Sequence, residues 1–119
     1  MKYAMLVYSD QASWEGLSDE EAGRLRAESM PRWITLFDEM GKADPNVTGK
    51  ELAGASEAKV VRVVDGQTIV TDGPFAETKE QLGGVFITEL PDLDEAIRLA
   101  ALVPAADYGT LEIRPLATR

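Results

Sequence analysis

Asp72, Glu77 and Lys79 lie close together in the run Asp72-Gly73-Pro74-Phe75-Ala76-Glu77-Thr78-Lys79-Glu80-Gln81, which sets groups able to move protons beside an aromatic ring. A carboxylate held against an apolar ring such as Phe75 loses water, which raises its pKa toward the range of a general acid or base. Lys79 would bind an anionic group on a substrate or lower the pKa of a neighbouring carboxylate, while Glu77 moves the proton. A second set comprises Tyr8, Tyr108 and Arg114: an arginine grips a carboxylate through two parallel N–H bonds, and a phenol donates to a carbonyl or phenolate oxygen. Each residue also has a structural reading. Asp followed by Gly-Pro opens turns. Mixed charges at Glu77, Lys79 and Glu80 suit a solvated turn, and Glu112 and Arg114 suit cross-strand ion pairs.

The rest of the composition narrows the chemistry. Among 119 residues there is no His and no Cys, and 12 Lys+Arg face 21 Asp+Glu, a formal charge of −9. Imidazole bases, thiol nucleophiles, disulfides and thiolate or imidazole zinc sites are excluded. A metal would need oxygen ligands, and the chain shows no tight carboxylate cluster for one, so no metal and no cofactor are expected. The acidic balance, with no Lys/Arg cluster, argues against nucleic acid. Gly83-Gly84 precedes a strand where a phosphate-cradling loop would precede a helix. No run approaches the roughly 18 apolar residues of a membrane span, and the N-terminal apolar run is too short for a signal peptide. A cytoplasmic chain of one domain over residues 1–119 is the expectation.

The elements that must position these groups are legible from periodicity. Lys2 to Tyr8 (KYAMLVY) is apolar on both alternating faces, as in a covered central strand. Ser18-Asp19-Glu20-Glu21 forms a capping box that starts a helix, with Ala22, Leu25, Met30, Trp33, Ile34, Leu36, Phe37 and Met40 on its apolar side, a kink at Pro31 and an end at Gly41. Trp14 falls in the preceding loop. A short strand is expected near Val47 to Leu52. Lys59 to Val64 and Gln67 to Thr71 flank Asp65-Gly66, the signature of a β-hairpin. Leu82 to Leu90 reads as a strand beginning at two glycines, a site of close approach. Asp92 caps a second helix striped by Leu93, Ala96, Ile97 and Ala100. Tyr108 to Pro115 alternates, with Leu111 and Ile113 on one face and Tyr108, Thr110, Glu112 and Arg114 on the other.

The order β-α-β-(β-hairpin)-β-α-β is that of a ferredoxin-like α+β fold, an antiparallel sheet with two helices on one face. Its other face lacks a cover. Because the first strand is apolar on both sides, exposure would leave a large apolar patch, and a homodimer packed sheet to sheet is expected, with Tyr8, Tyr108 and Arg114 lining an enclosed space.

Three stretches carry a resemblance: KYAMLVY, the run from Val70 to Gly84 that includes DGPFAETKEQLGG, and the ending Glu112-Ile113-Arg114-Pro115. Together they resemble the YCII-related proteins, and among them the subgroup named for its Asp-Gly-Pro-Phe motif. The resemblance implies the dimeric α/β-barrel superfamily, small bacterial homodimers and, for this subgroup, genomic association with extracytoplasmic-function sigma factors. Some relatives use a His and Asp pair, one of them as a dehydrochlorinase of a substituted hydroquinone. This chain departs from that pattern, since it holds no histidine.

Two functions fit. One is a cofactor-free lyase or isomerase acting on a small organic compound between sheet faces, with Asp72, Glu77 and Lys79 as the catalytic set and Tyr8, Phe75, Tyr108 and Arg114 binding the substrate. The other is a non-catalytic module that binds a small molecule or serves sigma-factor regulation.

Overall fold

The computed structural model describes residues 1–118 and forms a mixed α+β fold. Strand β1 (Lys2–Ser9) is followed by a short helix α1 (Ala12–Glu15) and the long helix α2 (Asp19–Ala43). Strand β2 (Thr48–Glu51) leads through a 3₁₀ turn at Ala55–Glu57 to the hairpin β3 (Lys59–Val64) and β4 (Gln67–Asp72). Then come β5 (Gln81–Glu89), helix α3 (Leu93–Leu102), a second 3₁₀ turn (Pro104–Asp107) and β6 (Thr110–Pro115). The main sheet has the order β2-β5-β1-β6, every neighbour antiparallel, and β3 and β4 pair only with each other.

Both helix starts are capped as expected. Ser18 accepts from the Glu21 N–H at 3.1 Å and Asp92 from the Glu95 N–H at 2.9 Å, each satisfying a donor that a helix start leaves unpaired. At the hairpin tip Asp65 and Gly66 both take positive φ, 50° and 77°, the conformation whose twist matches a two-residue connection. Helix α2 runs unbroken through Pro31 and passes Gly41, ending at Ala43, where the Asp44 N–H donates to the Met40 carbonyl at 2.8 Å. The cap expected at Gly41 is therefore three residues short, because the capping contact belongs to Asp44.

Tyr3 and Met5 on β1 are buried beneath Leu36 and Met40 of α2 and Leu99 of α3, with Leu90, Ala96, Ala100 and Val103 completing the core. Two stripes differ from the sequence reading. On α3 the buried residues are Ala96, Leu99 and Ala100, while Leu93 and Ile97 are exposed. On α2 only Leu36 and Met40 are fully buried, and Met30, Ile34 and Phe37 remain exposed. The amphipathic face of α2 is wider than the sheet beneath it can cover.

Asp44 holds the far end of α2 in place. It is buried, and its carboxylate accepts from the Asn46 N–H at 3.0 Å, the Thr88 hydroxyl at 3.1 Å and the Glu89 N–H at 2.9 Å. A negative charge at a helix C-terminus is opposed by the helix dipole. The three donors offset that cost and tie the helix end to β5.

Candidate functional site

The exposed part of the α2 face looks onto a cleft of about 700 Å³ between this helix and the sheet. Sequence explains why it is open. Gly49 on β2 and Gly83 and Gly84 on β5 bring no side chains under the helix, and all three line the cleft. The ring of Phe86 lies over Gly49 so closely that a Cβ there would sit 2.6 Å from it. Across β1 the pairing steps from Val7↔Gly84 to Tyr8↔Leu82, leaving Gly83 as a bulge whose carbonyl accepts from the Leu52 N–H at 2.9 Å.

The opposite wall is aromatic and apolar: Trp14 from α1, then Met30, Trp33 and Phe37 from α2, with the Trp33 and Phe37 rings 5.7 Å apart. Gln11 braces the entrance, donating to the Leu82 carbonyl at 3.4 Å and accepting from the Ala55 N–H at 2.8 Å. Arg26, Lys50, Glu15 and Glu51 supply charge of both signs around the rim. Apolar walls with a few polar groups are the usual make-up of a small-molecule site.

Tyr108 is the one residue of the expected set that reaches this cleft. It sits just before β6, on the 3₁₀ turn that Arg32 of α2 holds through Asp107 at 2.5 Å. The residue is 56% exposed, and its partial desolvation raises the pKa of its phenol above the ordinary 10.0; the charge of Arg32 pulls it back down and Asp107 adds to the rise. The phenol is a hydrogen-bond donor at neutral pH.

The remaining residues fall in two other places. Tyr8 and Arg114 lie on the sheet face away from the helices, where Tyr8 donates to Glu112 at 3.4 Å and Arg114 donates to the second oxygen of the same carboxylate at 3.1 Å. Beside them Thr110 donates to Glu80 at 2.7 Å, which ties β6 to the turn before β5. The expected grouping of Tyr108 with Arg114 does not form, because Tyr108 precedes the strand and escapes its alternation.

Asp72, Phe75, Glu77 and Lys79 are all exposed. Asp72 closes the base of the hairpin by an ion pair with Lys59, its partner in register. The Gly73 N–H donates to the Ala58 carbonyl at 2.8 Å, and a Cβ on Gly73 would approach that of Ala58 to 2.9 Å, so glycine is needed for the close contact. The Arg62 guanidinium stands 5.3 Å from the centre of the Phe75 ring, a cation–π contact. The turn through Glu77 and Lys79 is held from within: Gln81 donates to the Ala76 and Thr78 carbonyls at 2.9 and 2.7 Å.

Met30, Trp33 and Phe37 had been legible only as core, and Arg26 and Lys50 carried no signal. The trace in the sequence was indirect, an apolar helix face broader than one sheet needs together with glycines at three strand positions. No group of acids with metal-binding geometry occurs among the described residues, and no helix among them is long and apolar enough to cross a membrane.

An antiparallel sheet with helices on one face and an aromatic cleft beneath the longer helix defines a small α+β protein. The chain belongs to the YCII-related family, whose domain matches residues 1–118. An uncharacterised protein of Rhizobium meliloti (strain 1021) is 38% identical over 119 residues, an alignment covering 98% of this chain and 93% of that protein.

Proposed function

We propose that this YCII-related protein is a one-domain cytoplasmic homodimer of the Asp-Gly-Pro-Phe subgroup that binds a small organic molecule in the cleft between α2 and the sheet. The observation that carries the reading is the aromatic cleft itself, with Trp14, Trp33 and Phe37 on one wall and backbone-only Gly83 and Gly84 on the other. A flat ligand stacks on such rings, and Tyr108 donates to an oxygen on it. The strand order β2-β5-β1-β6 supports the ferredoxin-like arrangement of the dimeric α/β-barrel superfamily. Half-buried Ala4, Leu6, Val85 and Ile87 on the free sheet face support dimerisation there.

The test uses the two tryptophans that line the cleft. Phenols, lactones and small organic acids are titrated while tryptophan fluorescence and the melting temperature are followed, since a ligand selective for the folded state raises the latter. A binder should change both signals, and Trp33→Ala should weaken it at least tenfold. A panel without any effect at about 1 mM, the weak limit of useful affinity, refutes the reading.

A second reading is favoured by the polar group Tyr8, Glu112, Arg114, Thr110 and Glu80 on the free sheet face. Enclosed between two sheets, it would form a cofactor-free lyase or isomerase site with Asp72, Glu77 and Lys79 nearby in the chain and Phe75 as an apolar wall. There Asp72→Asn abolishes turnover while the fold stays intact. Full turnover in that variant removes Asp72 from the mechanism.

A further inference from the structure

Strands β3 and β4 form a hairpin that stands away from the body of the chain. Neither strand packs against another element to any extent. The molecule measures 48 × 47 × 20 Å with a radius of gyration of 16.5 Å, against about 13.5 Å for a compact chain of this length. An isolated two-stranded hairpin is marginal in water, and this one is apolar on both sides. One face carries Val61, Val63 and Val70, exposed by 61%, 69% and 59%; the other carries Val64 and Ile69, with Arg62 stacked on Phe75. So many exposed β-branched residues on one projecting element mark a contact surface.

We infer that the hairpin is an arm that clasps a second copy of this chain, and that the Asp-Gly-Pro segment is its shoulder. The inference rests on the dimer proposed above, and area decides the occupant. From strand rise and spacing, the free face of the main sheet offers only about 400 Å² per chain, and two such faces total about 800 Å², the size of a lattice contact. Each face of the six-residue hairpin strands adds about 200 Å². With one arm face added, arm and sheet reach about 600 Å² per partner, about 1,200 Å² in total, which enters the range of stable standard interfaces. The sheet face alone falls short.

The shoulder is built to aim the arm. Lys59 pairs with Asp72 across its base, Gly73 packs against Ala58, and Pro74 lies in a hollow of about 360 Å³ with Leu52, Ala55, Ala58 and Leu82, an apolar recess beside the arm. This gives the motif a role independent of proton transfer.

Sedimentation velocity on the full-length chain tests the inference with three variants. Wild type should sediment as a dimer, and Val61→Glu/Val70→Glu should raise the dimer dissociation constant at least a hundredfold with an unchanged far-UV spectrum. Val61→Thr/Val70→Thr, close to isosteric, guards against misfolding and should raise it about a hundredfold, since four methyl groups across the dimer are exchanged for hydroxyls. Leu6→Glu reports on the sheet face separately. Arm variants that dimerise like wild type overturn the arm inference, and if Leu6→Glu is then monomeric the sheet-face dimer stands without it. Dissociation by the arm variants with Leu6→Glu still dimeric keeps the arm and refutes the sheet-face reading. A wild-type monomer at about 100 µM, well above the affinity of standard interfaces, refutes both and leaves the arm to a different partner.

Discussion

Replacing Asp44 tests how the long helix is anchored, because this residue fixes the C-terminal end of α2 to β5. In Asp44→Ala the Thr88 hydroxyl and the Glu89 N–H lose the oxygen that accepts both, while the exposed Asn46 N–H turns to water. The buried Thr88 hydroxyl left unpaired costs about 1–3 kcal/mol and the partly buried Glu89 N–H less, so a loss of about 2–4 kcal/mol is expected. That is a large part of the about 5–15 kcal/mol of a typical domain. Asp44→Asn keeps one acceptor and should lose about 1–2 kcal/mol. Adding Thr88→Val to Asp44→Ala removes one of the orphaned donors, and the double variant should recover about 1 kcal/mol relative to additivity. Urea unfolding followed by circular dichroism gives these differences.

The pH dependence supplies an independent check. The Glu89 N–H, aided by the Asn46 N–H, the Thr88 hydroxyl and the charge of Lys2, lowers the Asp44 pKa below its ordinary 3.8 against the opposing effect of burial. A carboxyl with a depressed folded-state pKa stabilises fully above 3.8, and that stability is lost as pH falls through the lower folded value. The gap between wild type and Asp44→Asn should therefore be constant from pH 5 to 7 and narrow below 3.8. Asp44→Ala within about 0.5 kcal/mol of wild type, or a gap that widens on acidification, would refute this account of the helix anchor.

Two further outcomes follow. Tyr108 should ionise above 10.0, seen as the component that Tyr108→Phe removes from the ultraviolet pH titration; ionisation at or below that value contradicts its partial desolvation at the cleft wall. Gly66→Ala places a Cβ at φ 77° in the hairpin tip and should cost about 1 kcal/mol locally, read as faster amide exchange in β3 and β4 with unchanged protection in β1.

Much of the fold was legible because its signals are local. Hairpin chemistry at Asp65-Gly66, hydroxyl and carboxylate caps at Ser18 and Asp92, and the doubly apolar β1 each act within a few residues, and the elements they announce are present. The cap of α2 lies three residues beyond Gly41, where local signals place it, because Asp44 is recruited by donors 44 and 45 positions away. Tyr108 was assigned to the wrong sheet face because alternation counts only once a strand has begun, and β6 begins at Thr110. The candidate site was less legible. Met30, Trp33 and Phe37 have the spacing of core residues, and nothing local distinguishes a helix face that meets a sheet from one that overhangs glycines.

Sequence alone determined which chemistries are closed: without histidine or cysteine, no folding can supply an imidazole or a thiolate. It also determined the elements and their order, since caps, turns and periodicity are properties of neighbouring residues. The tertiary structure alone decided where the open space lies, under α2, and which acids are engaged, Asp72 by Lys59 and Asp44 by β5. Space and pairing depend on residues brought together from distant positions. A cleft arises where a broad apolar helix face crosses strands that carry only backbone, and that coincidence exists only once the chain has folded.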